Sequence, residues 1–319
     1  MRALGIIGAA IVLLAGLAGF WGWNAYTRPG PLAEPLPLVI PRGGTEEVSI
    51  VLRENQVIGD PRLFAAAAWI TSAQGPLRAA ELVFPAHVSL REALLILREA
   101  RPVRRRLTIA EGLTARQIAA LIERTPGLTG EVPPLAEGAM LPETYTWSWG
   151  DTRASVVRRG VTAMEQALAE AWASRAENLP LANPRDALIL ASIIERETGL
   201  SSERGLVGGV FINRLRRGMM LQSDPTVAYG PGQGLPLDRP LTRADLEQAH
   251  PFNTYRIRGL PPAPIASPGR EALKAATQPE ATEFLYFVAN GSGGHAFAAT
   301  LEEHNRNVAR WRALGTRSP

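Results

Sequence analysis

The chain has 319 residues and a formal net charge of +4, and Lys274 is the single lysine among its basic residues. Such a length accommodates an anchor and two domains with cores of their own. The absence of cysteine excludes disulfides, thiolate nucleophiles and zinc–thiolate sites. Because the longest basic run is Arg104-Arg105-Arg106, the charge does not indicate nucleic-acid binding.

The N-terminal stretch from Ala3 to Trp23 is apolar and uncharged, with aromatic residues at its far end. A run of this length spans a bilayer core of about 30 Å, and aromatic residues are typical of the membrane surface. A cleaved signal peptide is the alternative, but the run is longer than usual and lacks a small-x-small cleavage site before the aromatic residues. We predict a cytoplasmic tip and transmembrane anchor over residues 1–28, with the rest of the chain outside the cytoplasm.

The next part of the chain predicts a spacer and a small module. Residues 29–38 are rich in proline, which favours an extended, semi-rigid spacer. Two stretches that begin at Ile40 and Ile109 share isoleucine, glycine and threonine at one spacing, and each predicts a strand, a glycine turn and a capped helix. We therefore predict a small α+β module over residues 39–130. Packing and ligand binding are equally consistent with its residues.

Residues 131–319 combine long helical patterns with two short strand patterns. The predicted helices cover about residues 154–175, 184–198 and 202–217, and the predicted strands cover 284–288 and 295–297. The expected fold class is α+β, with an N-terminal transmembrane helix, the small module and then a mixed helical and β domain over 131–319.

The helix predicted over 184–198 ends with two glutamates. Asn183 predicts its N-cap and Pro184 its first turn. At about 100° per residue, Glu195 and Glu197 point to nearly opposite sides, so they do not easily share one pocket. A carboxyl among apolar neighbours has a raised pKa and can serve as a general acid. The alternative is that both carboxylates pair with nearby arginines, for which the candidates are Arg196, Arg204 and Arg214.

A dense polar run, Gln222 to Thr226, follows the helix predicted over 202–217. Polar groups at this density between helices and Tyr229 predict a hydrogen-bonding wall for a polyhydroxyl ligand. A simple Asp-Pro turn at Asp224 is the alternative. His295 and His304 are too few and too far from a carboxylate pattern to predict a metal site.

From about Asn183 to His304 the chain carries several long motifs in a fixed order. They are ASIIERETG, VFINRL, GMMLQSDPTVAYG, Asn253-Thr254-Tyr255, the Pro-rich loop to Gly269, and Gly294-His295-Ala296-Phe297. In these motifs the chain resembles the YceG/MltG family of endolytic murein transglycosylases. Outside this region, LPETY at 141–145 is similar to a family element, with Glu143 in place of its aspartate.

The resemblance implies cleavage of the MurNAc–GlcNAc β-1,4 bond of nascent glycan strands without water, which leaves 1,6-anhydro-MurNAc ends and terminates strand elongation. It implies Glu195 as the catalytic acid, no cofactor and no metal. It further implies a LysM-like module at 39–130 and a bacterial inner-membrane location, with the catalytic domain on the periplasmic side. Implied partners are peptidoglycan strands and peptidoglycan synthases, without nucleic acid. The implied substrate-binding residues are Gln222, Asp224, Thr226, Tyr229, Asn253, Tyr255 and His295.

Two other functions stay open at the level of sequence. A hydrolytic muramidase would use Glu195 with a second carboxylate such as Asp224, because glycoside hydrolysis ordinarily needs two. A membrane-anchored scaffold would bind the cell wall without cleaving it. Product mass separates lytic cleavage from hydrolysis, since only hydrolysis adds a water.

Overall fold

The computed structural model describes residues 2–232, 234–235, 237 and 239–315. The chain divides into two compact units, of which the first comprises Met1–Arg105 with Thr146–Asp151 and the second Arg106–Tyr145 with Thr152–Pro319.

The first unit combines a long N-terminal helix with a small α+β arrangement. Its two strands are antiparallel, with Leu36 opposite Phe84 and Val39 opposite Glu81. In chain order its elements are α1 (Arg2–Thr27), β1 (Leu36–Val39), α2 (Thr45–Glu54), α3 (Pro61–Ile70), β2 (Glu81–Phe84) and α4 (Leu90–Glu99), and the strand β3 (Arg105–Thr108) has only its first residue in this unit.

Helix α1 is almost entirely apolar. Its segment Ile6–Thr27 has a mean hydropathy of 2.0 and is the single helix, within the part of the chain that the structure describes, that is long and apolar enough to cross a membrane. Its length and composition fit a membrane anchor and equally an N-terminal signal sequence. The predicted apolar helix is confirmed at this level.

The predicted spacer is extended but belongs to the first unit. Leu32 is only 6% exposed and packs in the same core cluster as Phe64 and Phe84. The Gly30 amide donates to the carbonyl of His87, and the last residues of the stretch form β1. Proline keeps the segment extended, and burial of its leucine adds it to the core.

The second unit is mainly helical. Its elements are α5 (Ala115–Glu123), β4 (Thr144–Trp147), α6 (Arg153–Ala173), α7 (Pro184–Glu197), α8 (Ser201–Arg216), α9 (Asp224–Gly232), α10 (Arg243–Glu247), α11 (Arg270–Thr277), β5 (Tyr286–Ala289), β6 (His295–Ala298) and α12 (Leu301–Gly315). Strands β5 and β6 pair antiparallel, with Ala289 opposite His295, which confirms the predicted pair of strands.

Helix α7 lies at the centre of this unit, as its apolar sequence predicts. Each residue from Ile189 to Glu195 is buried, and the helix contacts α6, α8, α9 and α11. The predicted start is confirmed, because the Asn183 side chain accepts a hydrogen bond from the amide of Asp186 and Pro184 occupies the first turn. The buried helix therefore delivers its two terminal glutamates to the interior of the unit.

The observed mixture of helices and short strands confirms an α+β class. The two similar stretches at Ile40 and Ile109 each follow a strand and lead into a helix, α2 and α5 respectively. The assignment of residues 39–130 to a LysM-like module stays a prediction.

Candidate active site

The Glu195 carboxyl is buried at the junction of three segments, with a side chain 4% exposed. Its Oε1 accepts a hydrogen bond from Arg204 Nη2 at 2.9 Å, and its Oε2 accepts one from the Gly269 amide at 2.9 Å. The same Arg204 nitrogen donates to Glu111 Oε2 at 3.0 Å. The alternative prediction, an arginine partner, is thus confirmed for Glu195.

Burial raises the pKa of Glu195, while the Gly269 amide and Arg204 lower it, and the neighbouring Glu111 raises it. Glu111 approaches Gly269 so closely that a Cβ at that position would lie 1.8 Å from Glu111 Oε1. Glycine is therefore required there unless the Glu111 carboxyl moves. Both oxygens of Glu195 have donors, which is the usual arrangement of a buried charge that fixes structure.

The Glu197 carboxyl lies in a different environment, on another side of α7, as the helical spacing predicts. It is partly buried and accepts a hydrogen bond from the Ser223 hydroxyl. The pKa of Glu197 is raised to about 7, mainly by burial and also by Asp224, while the Ser223 hydrogen bond and Arg214 oppose the rise. A carboxyl with such a pKa can give and take a proton near neutral pH.

Three of the predicted substrate residues gather around Glu197 rather than Glu195. Tyr255 Oη donates to Asp224 Oδ1 at 2.6 Å, and Asp224 bears on the pKa of Glu197. Gln222 lies next to Ser223, with its Oε1 3.3 Å from Arg214 Nη1. Gln222 and Asp224 are exposed, so this face is open to a large substrate.

The polar run does not form a simple turn. Asp224 is the first residue of α9, so the alternative of a simple turn is wrong, and the Asp-Pro pair initiates a helix. Pro225 suits the first turn of a helix because its missing N–H would have no partner there. The helix start directs Asp224 and Ser223 towards Tyr255 and Glu197 respectively.

Thr226 and Asn253 are 0% and 1% exposed, so they offer a substrate almost no accessible surface. Asn253 Nδ2 donates to the carbonyls of Asp245, Leu246 and Gln248. The Thr226 hydroxyl donates to the Ser223 carbonyl at 2.6 Å. Both side chains hold the backbone that carries the exposed polar groups, an internal role that differs from the predicted one.

Tyr229 and His295 have partners outside the Glu197 group. Tyr229 Oη donates to Glu137 Oε2 at 3.0 Å, beside a cavity of about 810 Å³ that both residues line. Burial raises the pKa of Glu137, and the Ala115 amide and Tyr229 lower it. His295 Nδ1 lies 2.7 Å from Glu203 Oε2. The structure therefore does not bring these two residues into direct contact with Glu197.

The sequence predicted no role for Glu111 or Glu137, and it predicted Ser223 only as part of the polar run from Gln222 to Thr226. Ser223 belongs to a recognised motif, which was the available signal, but Glu137 lies in a stretch without one. Within the described ranges, the structure shows no group of three or more histidine, aspartate or glutamate side chains that could hold a metal ion.

Comparison with known proteins identifies the family of the chain. The profile of the YceG-like family matches residues 38–310 of the chain. The chain belongs to the YceG-like family. A solved structure of a YceG-like protein from Listeria monocytogenes is similar with a TM-score of 0.52 and 28% identity, over 86% of this chain and 99% of that one.

Two curated relatives of this YceG-like chain are named endolytic murein transglycosylase. The protein of Bacillus subtilis (strain 168) is 36% identical over 170 residues, which are 53% of this chain and 46% of the relative. The protein of Streptococcus pneumoniae serotype 2 is 33% identical over 178 residues, 54% of this chain and 32% of the relative. The matches thus span less than half of each relative.

Proposed function

We propose that the chain is an endolytic lytic transglycosylase of peptidoglycan, with its chemistry at the Glu197 carboxyl. The observation that carries the proposal is a partly buried glutamate with a pKa of about 7, beside the exposed polar residues Gln222 and Asp224. The names of the curated relatives support the substrate and the reaction.

The proposal assigns the acid to Glu197 and gives Glu195 a supporting role. A general acid must carry a proton near neutral pH and reach the leaving oxygen. Glu195 is predicted as the acid from sequence, but its two oxygens already accept from Arg204 and Gly269, and its side chain is 4% exposed. Glu197 has a single described donor, Ser223, and lies beside open polar groups.

The reaction needs one carboxyl in two protonation states. Glu197 first protonates the oxygen that bridges MurNAc and GlcNAc, and the bond from that oxygen to the anomeric carbon breaks. The ionised carboxylate then takes the proton from the 6-hydroxyl of the MurNAc, whose oxygen bonds to the anomeric carbon. The products are a free GlcNAc 4-hydroxyl and a 1,6-anhydro ring, no water is consumed, and the acid is regenerated.

Hydrolysis is the second candidate, since Asp224 lies close enough to Glu197 to raise its pKa. A second carboxylate could activate a water molecule. The pair differs from the predicted pair of Glu195 and Asp224, because the groups that bear on the pKa of Glu195 are Gly269, Arg204 and Glu111.

The cellular role follows from the same proposal. Helix α1 anchors the chain in the bacterial inner membrane, and the catalytic unit lies on the periplasmic side. Cleavage near the membrane ends nascent strands, the LysM-like module contacts glycan, and peptidoglycan synthases are the expected partners. The apolar segment Ile6–Thr27 supports the anchor.

The test incubates the full chain in detergent with purified peptidoglycan and determines product masses. Glu197→Gln and Glu195→Gln are compared, since each is nearly isosteric and cannot release a proton, and unfolding curves establish that each variant is folded. We expect anhydro products from the native chain, a reduced amount from Glu195→Gln and none from Glu197→Gln.

Other outcomes identify the rival functions. Anhydro products from Glu197→Gln but not from Glu195→Gln would identify Glu195 as the catalytic acid. Products with reducing ends, one water heavier, would indicate hydrolysis. Intact glycan binding without any product from the native chain would indicate a scaffold.

A further inference from the structure

Arg214 is a buried cation with an unusual set of partners. It is 7% exposed, and its Nε donates to the carbonyl of Leu285 at 2.6 Å. Its Nη1 donates to the carbonyls of Met220 and Leu221 at 3.2 and 2.8 Å, and to Gln222 Oε1 at 3.3 Å. One guanidinium therefore holds three consecutive residues that lead into the candidate active site.

The backbone at the end of that run is strained. Gln222 has a φ of 50°, in the left-handed region that residues with a Cβ rarely adopt. Its amide nitrogen donates to the carbonyl of Thr254, so the position is fixed from two directions. Strain of this kind persists only where the surroundings enforce it, and it is concentrated at functional sites.

The charge of Arg214 has no carboxylate within ion-pair distance among the residues that the structure describes. Its guanidinium lies over the ring of Tyr286, 5.2 Å from the centroid, and that ring stacks on His304. Burying a cation without an anionic partner is costly. Its charge interacts with Tyr286, Tyr255 and Glu197, of which Glu197 is the carboxyl.

We infer that Arg214 is a positioning residue for the proposed reaction: it holds Gln222 in place for the substrate and is the counter-charge of Glu197 when that carboxylate is ionised. The first part follows from the hydrogen bonds to residues 220–222. The second follows from the contacts around the buried guanidinium, which donates to Gln222, while the adjacent Ser223 donates to Glu197. The inference rests on the proposed role of Glu197.

Four groups bear on the Glu197 carboxyl. They are Arg214 on α8, Ser223 and Asp224 at the start of α9, and Tyr255 in the loop between α10 and α11. Arg214 is the cation in this set, so it favours the ionised form, which the second half of the reaction requires. Asp224 opposes it and favours the protonated form, which the first half requires.

The test uses the full chain in detergent with Arg214→Met, Arg214→Lys and, as the matched control, Arg217→Met, because Arg217 directly follows the same helix and is exposed. The rate of anhydro-product release is measured against pH. With the charge removed in Arg214→Met, the alkaline limb of kcat/KM moves to higher pH, since Glu197 keeps its proton longer. Arg214→Lys leaves the limb in place but lowers kcat about 100-fold, because a single ammonium cannot replace the forked contacts.

A double-mutant cycle of Arg214→Met with Glu197→Gln gives a readout that needs no activity. The unfolding equilibrium constants of the four chains are measured at about pH 5 and about pH 9, on either side of the Glu197 titration. We expect coupling of about tenfold at the higher pH and none at the lower, the equivalent of one pKa unit. Arg214→Gln replaces Arg214→Met if the latter does not fold.

Two results would overturn the inference. If the alkaline limb of Arg214→Met lies at the same pH as that of the native chain, the charge of Arg214 does not act on Glu197. If Arg214→Lys has the same kcat as the native chain, the forked contacts are dispensable. The cycle separates this failure from that of the proposed function. Coupling at high pH in a chain that releases no product would support the interaction of Arg214 with Glu197 and would contradict the proposed enzymatic function.

Discussion

The Ser223 hydroxyl donates a hydrogen bond to the Glu197 carboxylate, and it joins the end of α7 to the residue before α9. Ser223 is 1% exposed, so the contact is shielded from water, and its amide is fixed by the hydroxyl of Thr254 at 2.9 Å. This hydrogen bond stabilises the ionised carboxylate and opposes the effect of burial, so the pKa of Glu197 lies near neutral pH.

Replacement of Ser223 by alanine raises the pKa of Glu197 above about 7, because the hydrogen bond that lowers it is lost. We expect the alkaline limb of the pH–rate profile for anhydro-product release to move to higher pH. Ser155→Ala is the control, since the Ser155 hydroxyl, near the start of α6, donates to the carbonyl of Thr152 in the same turn. A limb that does not move in Ser223→Ala would contradict the assignment.

Glu197 makes stability depend on pH in a defined direction. Its pKa rises from 4.5 to about 7 on folding, so between these values the native state binds more protons than the unfolded state. Stability contributed by this group is complete below pH 4.5 and is lost as the pH rises through about 7, with a total on the order of 3 kcal/mol.

Glu197→Gln removes this titration, so its free energy of unfolding declines less between these two pH values than that of the native chain. Denaturant unfolding at a series of pH values measures the difference. Parallel curves for the two chains would show that Glu197 titrates in the folded protein as it does in the unfolded one.

Removal of Arg204 leaves Glu195 buried with the Gly269 amide as its remaining described donor. The side chains of this pair are 10% and 4% exposed, and breaking a buried pair from one side costs about 3 kcal/mol or more. We expect Arg204→Met to lower the free energy of unfolding by that amount. Arg243→Met, at the exposed pair with Glu247, should cost less than about 1 kcal/mol; equal losses in the two variants would contradict the argument.

Gly208 permits the close crossing of α8 and α11. A Cβ at this position would lie 2.4 Å from the Ala275 carbonyl oxygen, and a backbone atom cannot move aside without moving its helix. We expect Gly208→Ala to cost about 2 kcal/mol, the usual range for overpacking. Gly199→Ala is the control, because nothing lies within 4 Å of its Cβ. A Gly208→Ala chain as stable as this control would show that the crossing relaxes.

Local signals in the sequence predicted most elements of both units. The capped helix predicted after Ile109 is present, with a capping box at Thr114, because a cap depends on residues within one turn of the chain. The divergence of Glu195 and Glu197 was predictable for the same reason. Residues two apart on a helix differ by about 200° in direction, whatever surrounds them.

The sequence alone therefore determined the family motifs, the apolar N-terminal helix and a buried helix with two glutamates at its end. The tertiary structure decided what each glutamate meets. Arg204 contacts both Glu195 and Glu111, and Glu111 lies 93 positions from Arg204 in the chain. Ser223 donates to Glu197, which lies 26 positions from it. A pKa depends on burial and on charges within a few ångströms, and distances between residues so far apart in the chain are set by the packing of helices rather than by any local pattern.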